Sequence, residues 1–385
     1  MRIGILGSRG IPNNYGGFEQ FAEHLSFGLV QLGHEVSVYN SHNHPYKERL
    51  WRGVNLIHCH DPENYLGIAG QFVYDLICIL DSRKRSFDIL LQLGYTSSSI
   101  WRRFLPGNSK IVTNMDGLEW KRSKYHKPVR TFLKYAENLA VKSSSLLISD
   151  SEVMREYLIR MYQVKPVYIP YGAYVSETQN AAGLIPFHVR PQNYFLLISR
   201  IQSDNHVEEI IKGVLQSGSS MPLLIIGNIK NRYGKRLEKH YSSEKIRFLG
   251  PCFEKKTLDL LRFFSKLYFH GHSSGGTNPS LLEAMAASAP ICAHDNPFNH
   301  EVLGQDAFYF TDSGQISEMI CGFIDPQVTK SFILNNIQKI QTRYRWNAVI
   351  SAYNHVFEEL IKITGPNQSF NLNNHGNKQN NRFYL

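Results

Sequence analysis

Paired cysteines are missing from this sequence. Its five cysteines, Cys59, Cys78, Cys252, Cys292 and Cys321, stand apart with no C-x-x-C spacing. This excludes a disulfide framework or a cysteine zinc site and reads as reduced thiols of a cytosolic protein. Long apolar runs are missing too. The best candidate, FVYDLICIL, is broken by Asp75 and closed by Asp81, short of the roughly 18 to 20 apolar residues that a membrane span needs. The opening MRIGILGSRGIP has too short an apolar stretch for a secretory leader, so the chain is expected in the cytoplasm. No D-x-D stands in a plausible loop, and no repeat at solenoid spacing occurs. Acidic side chains are scarce relative to basic ones, 32 against 42, for a formal charge of +10. The field of such a protein favours anionic partners. Part of the excess lies in WKRSKYHKPVRTFLKY, residues 120–135, where Lys121, Arg122, Lys124, Lys127, Arg130 and Lys134 alternate with aromatics. That stretch suits an anionic membrane face or a phosphate-bearing substrate, or reads as a solvated helix face.

What is present is a repeated alternation of strand and helix. RIGILG is a short apolar run ending in glycine, followed by the turn residues SRGIPNNYGG. From Phe18, apolar residues recur at Phe21, Ala22, Leu25, Leu29 and Leu32, one helical face, and Gly33 stops the helix. HEVSVYN supplies the next strand, and a strand-helix-strand opening predicts a parallel α/β sheet. VNLIHC, FDILLQL, KIVTNM, SLLISD and VYIPYGA continue it to residue 173. Residues 174–193 lose periodicity and carry Pro186 and Pro191; YFLLISRI, PLLIIG, IRFLG, KLYFHG, PICAH and AFYF then restart the pattern. The expectation is two Rossmann-like, doubly wound domains, residues 1–173 and 190–342, facing a cleft. RYRWNAVISAYNHVFEELIKI predicts a terminal helix over 343–364 that docks back on a domain. The Asn-rich remainder, 365–385, is expected to be disordered.

The most informative stretch is HGHSSGGTNPSLLEAM, residues 270–285. Gly275 and Gly276 let a ligand approach the main chain closely. Asn278 is a good N-cap and Pro279 suits the first helical position. The first amides of that helix have no intrahelical partner and carry the positive end of its dipole, which suits a diphosphate. Arg200, just past the strand YFLLIS, stands ready to add a charged contact. Glu283, about one turn into the helix, suits a sugar hydroxyl. His270 and His272, two apart at a strand end, are expected to point to opposite faces and to be structural; His24 and His34 read as surface or packing residues.

With these residues in view, the chain resembles the two-domain GT-B nucleotide-sugar glycosyltransferases of family 4, which retain anomeric configuration. The likeness is to their bacterial β-1,4-rhamnosyltransferase-like subgroup. It rests on GSRGIPNNYGGFE, DGLEWKRSKY, SDSEVMREY, YIPYGA, SRIQSDN and HGHSSGGTNPSLLEAMA, which occur in the family's order and span residues 1 to about 360. The resemblance implies that Gly16 and Gly17 lie near the donor diphosphate and that Arg200 binds it. Gly276, Thr277, Asn278 and Ser280 would add contacts, and Glu283 would hold the ribose. It implies neither metal nor cofactor. Two positions depart from the broad family: the first glutamate of its E-x7-E pair is Gly275 here, and the lysine five residues after the arginine is Asn205. Both look like features of the rhamnosyltransferase-like subgroup, and Asn205 is kept in the donor set.

The activity so implied is transfer of a deoxyhexose, L-rhamnose from dTDP-rhamnose, to a lipid-linked saccharide at the inner membrane face in cell-surface polysaccharide synthesis. Asp116, in NMDGLEW, is the first candidate for a carboxylate facing the reacting sugar, and Glu119 the second; an Asp-Gly turn accounts equally well for Asp116. Trp120, Lys121 and Arg122 are candidates for the acceptor. A UDP-hexose donor and a catalytically silent sugar-nucleotide binder are the alternatives. An NAD-dependent oxidoreductase fits poorly, because GILGSRG lacks full G-x-G-x-x-G spacing and no acid ends the second strand. Nucleic acid, supported by charge alone, is not an expected partner.

Overall fold

The computed structural model describes residues 1–122, 125–177, 179–273, 275–322 and 325–362. The expected tail, the last residues of the terminal helix and Lys124 lie outside them. The chain divides into two compact units: residues 1–120, 127–171 and 346 onward in the first, residues 121–126 and 172–345 in the second.

The first unit runs β1 (Arg2–Leu6), α1 (Gly17–Gln31), β2 (Glu35–Ser41), β3 (Leu50–Trp51), β4 (Val54–Cys59), α2 (Glu63–Leu66), α3 (Ile68–Ser82), β5 (Ile89–Leu93), β6 (Lys110–Asn114), α4 (Lys127–Ser143), β7 (Leu146–Ser149), α5 (Glu152–Tyr162) and β8 (Val167–Tyr168). Its sheet has the order β3-β4-β2-β1-β5-β6-β7-β8. It is parallel, with registers such as Ile3 on Val36 and Ile3 on Ile89, apart from the short edge strand β3, which pairs antiparallel with β4. That edge hairpin has too little periodicity to be legible beforehand. Every residue of β5 is buried, as expected of a strand covered by crossover helices on both faces.

The second unit runs β9 (Phe195–Ile198), α6 (Val207–Gln216), β10 (Leu223–Ile226), α7 (Arg232–Tyr241), β11 (Ile246–Gly250), α8 (Lys255–Phe264), β12 (Leu267–His270), α9 (Pro279–Ala286), β13 (Ile291–His294), α10 (Pro297–Leu303), β14 (Phe308–Phe310), α11 (Ser313–Cys321) and α12 (Pro326–Thr342). Its parallel sheet has the order β11-β10-β9-β12-β13-β14. Phe195, Leu197, Ile210, Leu223, Ile225 and Phe269 are at the centre of its core. The stretch that loses periodicity is not a bare linker: Ala181–Phe187 is a 3-10 helix with Asn180 accepting from the Ala182 amide. The Ser176 amide bonds Ala286 O, so this stretch folds with the second unit.

The last helix, α13 (Trp346–Lys362), belongs to the first unit. It buries Trp346, Val349, Ile350, Tyr353, Val356, Phe357 and Leu360 along one side. Its contact with α1 depends on Gly28, where an added Cβ would meet Ile350 Cδ1 at 2.3 Å. Phe21 of α1 packs on Trp346 and Tyr353, with ring centroids 5.9 and 5.4 Å apart. The His24 ring lies tilted against Trp346 with centroids 4.6 Å apart, and His34 Nε2 meets Asn354 Oδ1 at 2.5 Å. Both histidines are packing residues here.

Candidate functional site

In a doubly wound sheet, ligands bind beyond the carboxyl ends of the strands where the strand order reverses direction. In the second unit that point is unambiguous: β9 pairs with β10 on one side and β12 on the other. The loops leaving β9 and β12 carry Arg200 and residues 271–278. They are bound to each other. Asp204 O accepts from both the amide and the hydroxyl of Ser273, at 3.3 and 2.9 Å, and His206 Nδ1 meets Gly271 O at 2.8 Å. Gly271 is required by this close approach, since a Cβ would fall 2.0 Å from Asn205 O.

Asn205, kept in the expected donor set, also works within the loop itself. It is buried, and its side-chain amide donates to Arg200 O at 2.6 Å. It therefore shapes the turn that presents Arg200, whose own side chain is exposed.

Helix α9 begins as expected, with Asn278 Oδ1 accepting from the Ser280 amide at 2.9 Å and Pro279 next to it. The amides free of helix bonding nonetheless sit one step earlier than the first turn, where they were expected. Pro279 has no N–H, Ser280 is capped, and the Leu281 amide already bonds Asn278 O. In the loop before the helix, the amides of Gly275, Gly276 and Asn278 make no backbone hydrogen bond to another described residue. Gly275, with φ +135, supplies the backbone conformation that turns this loop. Thr277 is buried beside them.

Glu283 is held from below. Its Oε2 accepts from Arg262 Nη2 at 2.6 Å, and the same nitrogen lies 3.4 Å from Ser280 Oγ, which in turn meets the Tyr268 hydroxyl at 2.9 Å. Arg262 is fully buried, and Asp259 Oδ1 accepts from its Nη1 at 3.5 Å. Burial alone would lower the guanidinium's pKa; the charges of Glu283 and Asp259 outweigh it and the pKa rises. Sequence reasoning missed Arg262. Its signal was a single arginine within LDLLRFF, a polar residue on the buried side of an amphipathic helix.

The histidines also differ from expectation. Residues two apart on a strand share a face, and the rings of His270 and His272 stack with centroids 4.6 Å apart. Both ring nitrogens of His270 and Nδ1 of His272 are buried without a partner. Burial, then Arg262 and His294, pushes the His270 pKa down to about 3. Burial and the neighbouring His270 and Arg200 hold His272 well below the ordinary range. These rings are neutral at pH 7 and add no positive charge of their own beside Arg200 and Arg262.

In the first unit Gly16 caps α1 and Gly17 opens it; Gly16 is extended, with φ −172, a conformation open to any residue. In the loop leaving β1, the backbone demands glycine instead at Gly7, φ +97, and Gly10, φ +122, whose added Cβ atoms would strike Leu93 O and the Asn40 side chain. Glu19 is buried and its Oε1 accepts from the Arg9 amide at 2.9 Å. Asp116 follows β6 with φ +49, its amide bonded to Asn114 Oδ1 at 3.0 Å. The Asp-Gly turn is thus real. Glu119 opens a 3-10 turn, Glu119–Lys121. Trp120 is drawn inward: its Nε1 donates to Glu137 Oε2 at 3.1 Å. The buried Glu137 also accepts from Tyr95, Lys134, Tyr157 and Tyr162, at 3.5, 2.9, 2.7 and 2.6 Å. Lys121 is exposed, whereas Arg122 is buried and pairs with Asp204 at 3.5 Å. The expected acceptor trio is therefore divided among three environments.

This architecture, two parallel α/β units each with a switch-point corner, is the GT-B fold of glycosyltransferases. Residues 186–321, within the second unit, match the family model described as Glycosyl transferases group 1. Residues 1–174 match a domain of unknown function, DUF1972. Two curated relatives are GtfA subunits of a UDP-N-acetylglucosamine–peptide N-acetylglucosaminyltransferase. That of Streptococcus pneumoniae is 20% identical over 245 residues, 60% of this chain and 44% of the relative. That of Streptococcus agalactiae is 22% identical over 251 residues, 62% of this chain and 45% of the relative. The chain thus spans less than half the length of these relatives. Among solved structures, sucrose-phosphate synthase of Thermosynechococcus elongatus aligns with a TM-score of 0.78 at 13% identity, over 94% of this chain and 99% of that one. Anabaena HepE in complex with UDP and glucose aligns with a TM-score of 0.73 at 15% identity, over 93% and 99%.

Proposed function

We propose that this chain is a retaining glycosyltransferase that uses a nucleotide-sugar donor, and that the donor diphosphate is held at the β9/β12 corner. One observation carries the reading. Arg200 and the Gly276 and Asn278 amides, which make no backbone hydrogen bond to another described residue, follow the two adjacent strands where the order reverses. Negative charge grows on the diphosphate as its bond to the anomeric carbon breaks. Amides already oriented by Asn278, Gly275 and the loop-to-loop bonds stabilise that charge without reorganising. Glu283, braced by Arg262, takes a ribose hydroxyl. Asp116 is the candidate for the carboxylate that faces the sugar, and Glu119 the next. The acceptor hydroxyl attacks on the face from which the diphosphate leaves. No metal or cofactor enters this reading.

Within that class, the six ordered motifs favour L-rhamnose from dTDP-rhamnose and a lipid-linked saccharide acceptor at the cytoplasmic membrane face. Among the described residues no helix is long and apolar enough to cross a membrane, so contact with lipid would be peripheral. The GtfA relatives favour a second reading, a UDP-sugar donor. The two separate in one assay, nucleotide release from a panel of dTDP-, UDP- and GDP-sugars by the purified chain. Release from dTDP-rhamnose is expected. Turnover of UDP-sugars alone would replace the donor and keep the corner; binding with no turnover of any donor would leave a silent sugar-nucleotide binder.

A further inference from the structure

We propose that the first unit carries a lipid-docking face, built from the N-terminal ends of α3 and α4 and the 3-10 turn Ser99–Phe104, whose occupant is an anionic bilayer surface. The proposal deepens the lipid-linked acceptor of the preceding reading and rests on it for its biological sense, but not for its test.

Topology places these elements together. α3 connects β4 to β5 and α4 connects β6 to β7, both stepping in the same direction along the sheet order. Parallel crossovers are right-handed, so both helices lie on one face of the sheet with their N-termini at its carboxyl edge. Side chains lock the arrangement. Phe72 of α3 packs on Phe132 of α4 with ring centroids 5.7 Å apart, and Trp101 Nε1 donates to Phe72 O at 2.8 Å.

Beyond this clamp the chain exposes apolar groups. Ile68, one helical turn before Phe72, is 80% exposed; Tyr65 and Leu66 of α2 are 85% and 54% exposed. Gly67 joins α2 to α3 with φ +56 and open space beyond its Cα, so the turn that displays these side chains needs glycine for its backbone, while Gly70 lets α3 close onto the Glu63 backbone behind it. Phe104 and Val129 are also exposed. A run of large apolar side chains at an exposed turn is unfavourable in water and marks an interaction surface.

The charge around this tip identifies the occupant. Arg102, Arg103 and Lys127 are exposed, and Arg130 is half-buried. No Asp or Glu occurs from residue 97 to residue 115, and the first acid of α4, Glu137, is buried under its five donors. Glu63, beside the tip, is held by the Arg9 guanidinium at 2.6 Å. Exposed aromatic and aliphatic tips flanked by unopposed arginine and lysine match an anionic headgroup layer over acyl chains. Of the basic stretch 120–135 read from sequence, this face keeps only the exposed start of α4, Lys127, Val129 and Arg130. Trp120 and Arg122 are withdrawn into the protein, and the apolar tip comes from residues 65–68 instead.

The test is co-sedimentation of the full chain with extruded vesicles, phosphatidylcholine alone or mixed 3:1 with phosphatidylglycerol (on the order of the anionic content of a bacterial surface), with no sugar nucleotide present. The wild-type chain is expected to pellet with the anionic vesicles only. The double variant Tyr65→Ser, Ile68→Asp is expected to lose about tenfold in partitioning. The double variant Arg102→Glu, Arg103→Glu should lose a similar factor and most of the salt dependence. All these positions are exposed, so melting temperatures should not change. Equal pelleting with both vesicle types, or wild-type pelleting by both variants, would overturn the proposal. So would self-association of the wild-type chain that Tyr65→Ser, Ile68→Asp abolishes, since a second copy would then be the occupant. Nucleotide release without vesicles is a separate readout, so failure of the transferase reading would leave the sedimentation result standing.

Discussion

Two carboxylates, one in each unit, lie near sites that the sequence nominates, and their surroundings differ. Glu137 is saturated: three tyrosine hydroxyls, one indole N–H and one ammonium converge on it. Glu283 is braced by the Arg262 guanidinium and stands below a loop whose Gly276 and Asn278 amides make no backbone hydrogen bond to another described residue. Buried polar groups are almost always satisfied internally. Where a fold satisfies every donor the cluster is structural, and where it leaves oriented donors unpaired it leaves room for a ligand. The indole N–H of Trp120, a candidate for the acceptor, is one of the donors that fix this cluster.

The largest effect should come from breaking the saturated cluster. Glu137→Leu would strand Lys134 and four further donors, costing about 3 to 5 kcal/mol, with a fall in melting temperature of roughly 10 °C. A fall of only a degree or two would show that the cluster is dispensable. The second unit should respond in the opposite way. Arg200→Ala removes an exposed side chain, so its melting temperature should stay put while donor turnover falls by about 100-fold, the loss of one charge-stabilising group. Near-normal turnover would remove Arg200 from the diphosphate corner.

Acid sharpens the contrast, because the two units hold buried groups of opposite sign. In the second unit, burial pushes His270 down to about 3 and His294 to about 4, from 6.5. The unfolded chain then binds more protons below pH 6.5, and stability is lost as the pH falls from there toward the folded values. Each histidine contributes up to about 1.4 kcal/mol per pH unit. In the first unit, burial pushes the Asp75 carboxyl up from 3.8 to about 7. Here the folded form holds the extra proton, so this group adds stability as the pH falls from 7 toward 3.8 and withdraws it as the pH rises. Hydrogen exchange at pH 7.5 and 5.5, resolved by peptide, should show the second unit loosening relative to the first; equal change in both would refute the assignment. The smallest effect is expected at the cap. Asn278→Ala should cost about 1 kcal/mol, read as a modest shift in the second unit's urea midpoint, together with weaker donor binding.

How much of this was legible beforehand follows from how local each signal is. The helix face Phe21, Ala22, Leu25, Leu29 and its glycine stop, the strands to either side, the Asn278–Pro279 start of α9 and the Asp116 turn all depend on residues within one or two turns of each other. They were readable for that reason. The partner of Glu283 lies 21 residues away and that of Asn114, Tyr353, lies 239 away; no spacing rule reaches them. Asn205 illustrates the intermediate case. Its position five residues after Arg200 was visible, but only the turn shows that its amide holds the Arg200 carbonyl.

By itself, then, the sequence determined the main strands and helices, though not the edge strand β3 or the turn of helix at Ala181–Phe187, where glycine and proline punctuate them, and that two such alternations occur. Short-range sterics and hydrophobic periodicity are written residue by residue. Only the tertiary structure decided which polar groups are used up and which remain available. It drew Trp120 and Arg122 inside, placed Arg262 beneath Glu283, and moved the amides free of helix bonding from the first turn of α9 to Gly276 and Asn278. The physical reason is that a hydrogen bond is spent only when chain segments distant in sequence meet, and what is left over after that meeting is what a ligand finds.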